Sequence, residues 1–333
     1  MSANGDARTR GASAARLLTI ALVLATGCKS AGVAAEADGA VVEASRDAAR
    51  ARLDDSAAMA TLKTVFVIVM ENKNWTQIAG NPDAAYINGT LVPSSALATQ
   101  YFNPPHLHPS EPNYIWMEAG DSLGIADNNG PEVNAVATTD HLVAYLSRAG
   151  ISWRAYAEDI DGVSCPLVDV DQYAPKHNPF VFFKDVTGNG DATDRSCIEH
   201  IRPFSELTAD LQANRVARYN FLMPNLCHAM HNCGVASGDG WLHDNLPAVM
   251  ASAAYRNGGV VFLTWEEGEG GTDGPVGMLV LSPSARAGQT SPVHHDHSSL
   301  LKTVQEIFGV PPLLRHAGDP DTADLSELFS VFP

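Results

Sequence analysis

Two runs of apolar, largely β-branched residues constrain the fold of this 333-residue chain most strongly, Thr64–Met70 and residues 259–264. Neither run alternates with polar residues, so each is expected to be a strand buried on both faces, as in a parallel sheet. Further apolar segments favour strands at residues 151–156, 217–223 and 276–281, and helical patterns fall between them. This alternation predicts an α/β fold with a mostly parallel central sheet flanked by helices.

Acidic residues follow both of these runs directly. Glu71 and Asn72 come after the first, and Glu266 and Glu267 come just after the second, with glycines behind them. Open α/β sheets place their sites at the carboxyl ends of strands, and converging carboxylates suit a hard divalent cation. Each cluster alone is equally compatible with a solvated loop, but their coincidence favours a metal site.

Ser110 lies between two prolines in the stretch His108-Pro109-Ser110-Glu111-Pro112. The prolines stiffen this backbone, and a helix is predicted to begin at Tyr114, which would put Ser110 just before a helix N-terminus. Such a position favours an anion such as phosphate and suits a serine nucleophile. The alternative is a proline-rich turn with a solvated serine.

The net charge of −17 argues against a nucleic-acid-binding protein, because no basic patch is visible in the sequence. An acidic protein that handles phosphate would need a local cation. The charge therefore agrees with the predicted metal site.

The N-terminus has the pattern of an export signal. Arg8, Arg10 and Arg16 precede an apolar run at residues 17–25 that is too short to span a bilayer, and the run leads to Cys28. We expect a lipoprotein-type signal at residues 1–28 with a possible membrane tether through Cys28, a flexible tether at 29–60, and one domain at 61–333. Ordinary secretion is the alternative.

Four of the five cysteines remain if Cys28 is the lipid anchor. An even number in an exported chain favours disulfides, and pairing of neighbours, Cys165 with Cys197 and Cys227 with Cys233, is preferred among three possibilities. The rival hypothesis is a zinc site, because histidines flank Cys227 and Cys233. A separate group of histidines, which includes His297, is a candidate phosphate contact or general acid, and the sequence does not select one of them.

Together, these pieces resemble the bacterial phosphoesterase family that holds acid phosphatases and phospholipases C acting on phosphatidylcholine. The resemblance covers roughly residues 64–308. The matching motifs are Met70-Glu71-Asn72 with Trp75, His108-Pro109-Ser110 with Pro112-Asn113-Tyr114, Pro224-Asn225-Leu226-Cys227-His228 with Met230-His231 and Cys233, Gly238-Asp239 with Trp241-Leu242, Thr264-Trp265 with Glu267-Gly268, and Leu300-Leu301-Lys302-Thr303.

The resemblance implies an α/β core like that of alkaline phosphatases and a metal-assisted serine nucleophile, Ser110. The implied ligands of a divalent metal ion are Glu71, Asn72, Ser110, Glu266 and Glu267, and the candidate substrate contacts are Asn113, His228 and His297. The family usually has Asp where this chain has Glu266, so the fit of the metal is expected to differ.

We therefore expect an exported, metal-dependent phosphoric ester hydrolase. The serine nucleophile and a chain that stops soon after its last helix favour an acid-phosphatase-like phosphomonoesterase acting on phosphate esters through a phosphoserine. The alternatives are a phosphodiesterase of the phospholipase C type and a non-catalytic lipoprotein that binds phosphate or a cation.

Overall fold

The computed structural model describes residues 61–333, so the expected signal segment and tether, with Cys28, lie outside the described residues. Eight strands form the central sheet in the order β5-β4-β6-β1-β7-β8-β2-β9, and β3 and β10 form a small parallel pair. In chain order the strands are β1 (Thr64–Met70), β2 (Ala96–Ala98), β3 (Tyr101–Phe102), β4 (Trp153–Ala157), β5 (Ile201–Pro203), β6 (Tyr219–Met223), β7 (Gly259–Trp265), β8 (Met278–Leu281), β9 (Thr290–Ser291) and β10 (His295–Asp296).

The central sheet is mostly parallel, as predicted. Among its described strands only β8 runs against the others, with antiparallel partners on both sides. Strands β1 and β7 lie side by side in parallel register from Thr64 opposite Gly259 to Met70 opposite Trp265. Both are almost wholly buried. The residues that follow Met70 and Trp265 therefore emerge together at the same edge of the sheet.

Helices cover the sheet and join its strands. The α-helices are α1 (Trp75–Ile78), α2 (Val92–Ser94), α3 (Ser110–Ala119), α4 (Pro131–Asn134), α5 (Leu142–Arg148), α6 (Arg195–His200), α7 (Leu207–Gln212), α8 (Val235–Ala251), α9 (Ala253–Arg256) and α10 (His297–Phe308). Short 3₁₀ turns include Pro175–His177 and Pro179–Phe182, and a π-helical turn covers Ile87–Leu91.

The start of α3 differs from the prediction. The helix begins at Ser110 instead of Tyr114, with Pro109 as its N-cap after a cis peptide bond. Pro112 falls in the first turn, where a backbone N–H would have no partner within the helix, so this proline does not interrupt it. Ser110 is thus the first residue of the helix and does not precede it.

Helix α8 begins at Val235 and takes in Gly238 in its second turn. A Cβ at Gly238 would lie 2.5 Å from Met230 Cγ and 2.7 Å from Met70 Cε, so glycine is needed there for close packing and does not mark a loop.

Two disulfides join Cys165 to Cys197 and Cys227 to Cys233, which confirms the pairing of neighbours. Since both sulfurs near His228 are used, the zinc hypothesis is wrong. None of the helices in residues 61–333 is both long and apolar enough to cross a membrane.

Candidate active site

The carboxyl ends of β1 and β7 bring the two predicted acidic clusters together. Glu71 and Glu266 are completely buried, and Glu267 is only 4% exposed. Asn72 bridges to the other strand, because its backbone N–H donates to Glu266 Oε2 at 2.9 Å and its Nδ2 donates to Glu267 Oε1 at 2.7 Å. Asn72 has a φ of 37°, a left-handed conformation that asparagine tolerates better than most residues.

Ser110 reaches the same cluster from the start of α3. Its hydroxyl lies 3.1 Å from Glu266 Oε1 and 3.3 Å from Glu71 Oε2, both within hydrogen-bond distance. The side chain is 2% exposed. The five side chains predicted to bind a metal therefore lie in one group.

Burial dominates the electrostatics of these carboxylates. It raises the pKa of Glu71 to about 7, and it raises the pKa of Glu266 well above its ordinary value, with the charge of Glu71 adding to the effect. Burial also raises the pKa of Glu267. Like charges held this close in a dry site disfavour one another unless protons or a cation neutralise them.

The residues in this group fit a metal ion. All five offer oxygen, the donor that hard divalent cations prefer. Asn72 Oδ1 is buried and has no hydrogen-bond partner among the described residues. A buried carbonyl oxygen without a partner is costly, and a cation beside the carboxylates would satisfy it.

Asn113 and His108 border the cluster on the side of Glu267. Asn113 Nδ2 donates to Leu107 O at 2.9 Å and lies 3.4 Å from Glu267 Oε2, while Asn113 Oδ1 has no partner within the described chain. His108 lies between Glu267 and Asp273, at 2.5 and 2.9 Å. Burial lowers the pKa of His108, but the hydrogen bonds to Glu267 and Asp273 and the charges of these two carboxylates outweigh it, so the pKa is raised. His108 was not assigned to the site from sequence, although it begins the stretch that contains Ser110.

The two histidines predicted to bind substrate direct their ring nitrogens to other partners. His228 is partly exposed and pairs with Glu158 at 2.7 Å instead of any of the site carboxylates. His297 is completely buried, and both of its ring nitrogens are occupied. Its Nε2 donates to the backbone carbonyl of Glu266 at 2.6 Å, so Nδ1 accepts from Tyr101 Oη. His297 holds the chain at Glu266, and this geometry leaves it no free nitrogen for a substrate.

Three side chains that were not assigned from sequence complete the site, Lys176, His177 and His231. His177 Nε2 lies 3.2 Å from Glu71 Oε1 but has no partner in hydrogen-bond geometry among the described residues. Glu71 Oε1 instead accepts from Tyr114 Oη. Ligand atoms of Glu71, His177 and His231 lie within 4.8 Å of one another, so they form a second group able to hold a metal.

Lys176 distinguishes this second group from the carboxylates. Its Nζ lies 3.4 Å from His231 Nε2. Because an ammonium can only donate, His231 Nε2 is the acceptor, and His231 Nδ1 therefore donates to Asn232 Oδ1. Burial, followed by the charge of Lys176, lowers the pKa of His177 well below its usual value. An ammonium here disfavours a cation beside His231 and favours an anion.

The fold and the site define a class of protein. The structure aligns with the crystal structure of an alkaline phosphatase superfamily protein from Vibrio parahaemolyticus at a TM-score of 0.53, with 11% identity, over 78% of this chain and 70% of that one. At this identity the likeness establishes the fold alone, and it confirms the expected alkaline-phosphatase-like α/β core.

The chain belongs to the Phosphoesterase family, whose family model matches residues 81–311. It is 30% identical to a phosphatidylinositol-3-phosphatase of Mycobacterium tuberculosis over 81% of this chain and 85% of that protein. It is 25% identical to a probable acid phosphatase of Kluyveromyces lactis over 80% of this chain and 63% of that longer protein. The protein is therefore a hydrolase that acts on phosphoric ester bonds.

Proposed function

We propose that residues 61–333 form a metal-dependent phosphomonoesterase domain that acts through a phosphoserine at Ser110. The observation that carries the proposal is the position of the Ser110 hydroxyl, held between Glu266 Oε1 and Glu71 Oε2 at the first residue of a ten-residue helix. Three buried carboxylates around one serine are an unfavourable arrangement for stability alone, but they suit a nucleophile that is activated by a bound cation.

The metal would be held by Glu71, Asn72, Ser110, Glu266 and Glu267. A bound divalent cation would lower the pKa of the serine hydroxyl and offset negative charge on the phosphoryl oxygens. Glu266 replaces the usual aspartate of the family, but the backbone N–H of Asn72 holds Glu266 Oε2 at 2.9 Å and fixes the longer side chain. This anchor supports Glu266 as a ligand despite the substitution.

The other side of the site would bind the phosphoryl group. Lys176 supplies positive charge, and polar atoms border the carboxylates at His177 Nε2, beside Glu71, and at Asn113 Nδ2, beside Glu267. Attack by Ser110 Oγ on phosphorus would form the serine ester as the bond to the leaving alcohol breaks. Water would then hydrolyse the phosphoserine and restore the serine.

A phosphodiesterase of the phospholipase C type is the second candidate function, and a protein that only binds phosphate or a cation is the third. The names of the mycobacterial and yeast relatives, which are phosphatases, favour the monoesterase. Both acidic clusters are present, with glutamate in place of aspartate at Glu266 as the one change, and this favours catalysis over mere binding.

Export and a lipid tether at Cys28 are part of the same proposal. The two disulfides support export, because such bonds form and persist in oxidising compartments. Fractionation of cells that express the full chain and a Cys28→Ser variant tests the tether. Equal membrane association of the two would contradict it.

The experiment for the activity is hydrolysis of p-nitrophenyl phosphate by purified residues 61–333, before and after chelation, with divalent metals restored one at a time. Bis-p-nitrophenyl phosphate is the matched diester. We expect turnover of the monoester that chelation abolishes and a metal restores. Turnover of the diester alone would favour the second candidate, and no turnover of either with any metal would favour the third.

A further inference from the structure

A cavity of about 570 Å³ lies next to the site, a size typical of pockets for small molecules. It is connected to the site at two points. Lys176, which contacts His231, also lines the cavity. Asn128, another lining residue, accepts a hydrogen bond at 3.0 Å from the backbone N–H of Glu111, the residue after Ser110. A phosphate ester attacked by Ser110 would therefore find this space for its leaving group.

Charged residues of both signs line the cavity, at different positions on its wall. Lys176 lies at its catalytic end, while Glu132, Asp169 and Asp171 line other parts of its wall. The carboxylates of these three residues make no hydrogen bond or ion pair within residues 61–333, and all three are exposed. Their charges are therefore free to act on whatever enters the pocket.

The remaining lining includes apolar groups, among them Leu167, Tyr173 and Leu226. These surfaces suit the carbon skeleton of an alcohol. An ammonium in the cavity would be attracted by the three carboxylates, whereas a phosphate or carboxylate would be repelled, because charges that line a concave surface set the local potential.

We propose that this cavity is the leaving-group pocket and that Glu132, Asp169 and Asp171 select phosphomonoesters whose alcohol carries a positive charge and no additional anionic group. The inference rests on the proposed phosphomonoesterase function. The name of the mycobacterial relative, a phosphatidylinositol-3-phosphatase, points to a phosphatidylinositol that carries a phosphate at position 3. That lipid keeps an anionic phosphodiester in its leaving group, so this pocket disfavours it.

The test compares kcat/KM for three phosphomonoesters of similar size, O-phosphoethanolamine, glycerol 3-phosphate and 3-phosphoglycerate. Their leaving groups are cationic, neutral and anionic. For the wild-type protein at low salt we expect a preference of about tenfold or more for the first over the third, given three partly screened charges. Raising the salt to about 1 M should reduce the preference, because the Debye length falls to about 3 Å.

The matched variants are Glu132→Gln, Asp169→Asn and Asp171→Asn, singly and combined. Asp171 has a φ of 51°, which asparagine also adopts, so its substitution preserves the backbone. We expect each single change to lower the preference by about two- to threefold and the triple change to bring it close to one. Hydrolysis of p-nitrophenyl phosphate should persist in every variant, since the groups proposed to carry out the chemistry are untouched.

The control is Asp321→Asn, which removes one exposed charge that does not line the cavity. It should leave the preference unchanged. If all proteins hydrolyse p-nitrophenyl phosphate and the triple variant keeps the wild-type preference, the pocket assignment is overturned while the proposed function stands. A complete lack of p-nitrophenyl phosphate turnover would defeat the proposed function, and the inference with it.

Discussion

The candidate active site has two sides that are built differently. The strand-end side consists of Glu71, Asn72, Glu266 and Glu267, which follow two strands paired along their whole length. The loop side consists of Lys176, His177 and His231, which come from the turn Pro175–His177 and from the loop closed by Cys227 and Cys233. The first side presents oxygen atoms that suit a cation, and the second presents an ammonium and imidazoles that suit an anion.

The difference lies in how each side is held in place. The strand-end side is fixed by the buried register of β1 against β7 and by the hydrogen bonds of Asn72. The loop side is joined by single contacts, such as Leu226 N donating to Gln172 O at 2.9 Å and Asn232 Nδ2 donating to Gln172 Oε1 at 3.2 Å. We infer that metal binding depends on the sheet and that phosphate binding depends on the loops, so the two can be separated by mutation.

The largest expected effect is that of Ser110→Ala, which removes the group shared by both sides. Turnover of p-nitrophenyl phosphate should fall by about 10⁴-fold or more, because loss of a covalent nucleophile removes the reaction path itself. Circular dichroism and the unfolding midpoint should show a folded protein. Ser94→Ala, at an exposed serine, is the control and should keep full activity. Substantial turnover by the Ser110 variant would refute the mechanism.

The second prediction breaks the strand-end side alone. Glu267→Gln removes the charge of a carboxylate that faces Asn72, and it should lower both the metal content and the activity. We expect the activity to fall by about 10²–10³-fold, because loss of an electrostatic group in a dry site commonly has an effect of this size. Metal analysis after dialysis and titration with added metal measure the change. Glu269→Gln, two residues further and half-exposed, should keep its metal. Equal metal content in the Glu267 and wild-type proteins would contradict its assignment.

The same division explains which residues could be predicted from the sequence. Glu71 and Glu266 each follow directly after a strand whose apolar run is visible in the sequence, and β1 was predicted with its observed bounds. Parallel strands that pair must bring their carboxyl ends together, so local patterns were sufficient there. The fold class followed from the same alternation of elements.

The loop side left no comparable signal. Lys176 and His177 lie in a long irregular segment, and their approach to Glu71 depends on contacts between residues far apart in the chain. The same limit applies to Gly238, because its packing against Met230 and against Met70, which is distant in the sequence, is what requires a glycine inside this helix. It also explains the direction of β8, because an apolar run predicts a strand but not its orientation.

The third prediction breaks the loop side alone. Lys176→Met keeps most of the side-chain volume but removes the ammonium that contacts His231. We expect kcat/KM to fall by about 10- to 100-fold and inhibition by inorganic phosphate to weaken, because a charged contact to a phosphoryl group is lost. Metal content should remain that of the wild type. Lys184→Met, a lysine outside the site, is the control. A parallel loss of metal in the Lys176 variant would show that the two sides are coupled.

The smallest effects on turnover are expected from opening the disulfides, which close the two loops that carry Lys176, His177 and His231. The double variants Cys165→Ser with Cys197→Ser and Cys227→Ser with Cys233→Ser should each lose activity by about threefold to tenfold while retaining their metal, since loosened loops position the phosphate less well.

The two variants should also differ in their free energy of unfolding, measured by urea denaturation. The bonds span 32 and 6 residues. In the chain-entropy description they contribute about 3.7 and about 2.2 kcal/mol to the free energy of unfolding. If either variant lost its metal together with its activity, the loops would be supporting the strand-end side as well. The separation between a cation site fixed by the sheet and an anion site fixed by the loops would then fail.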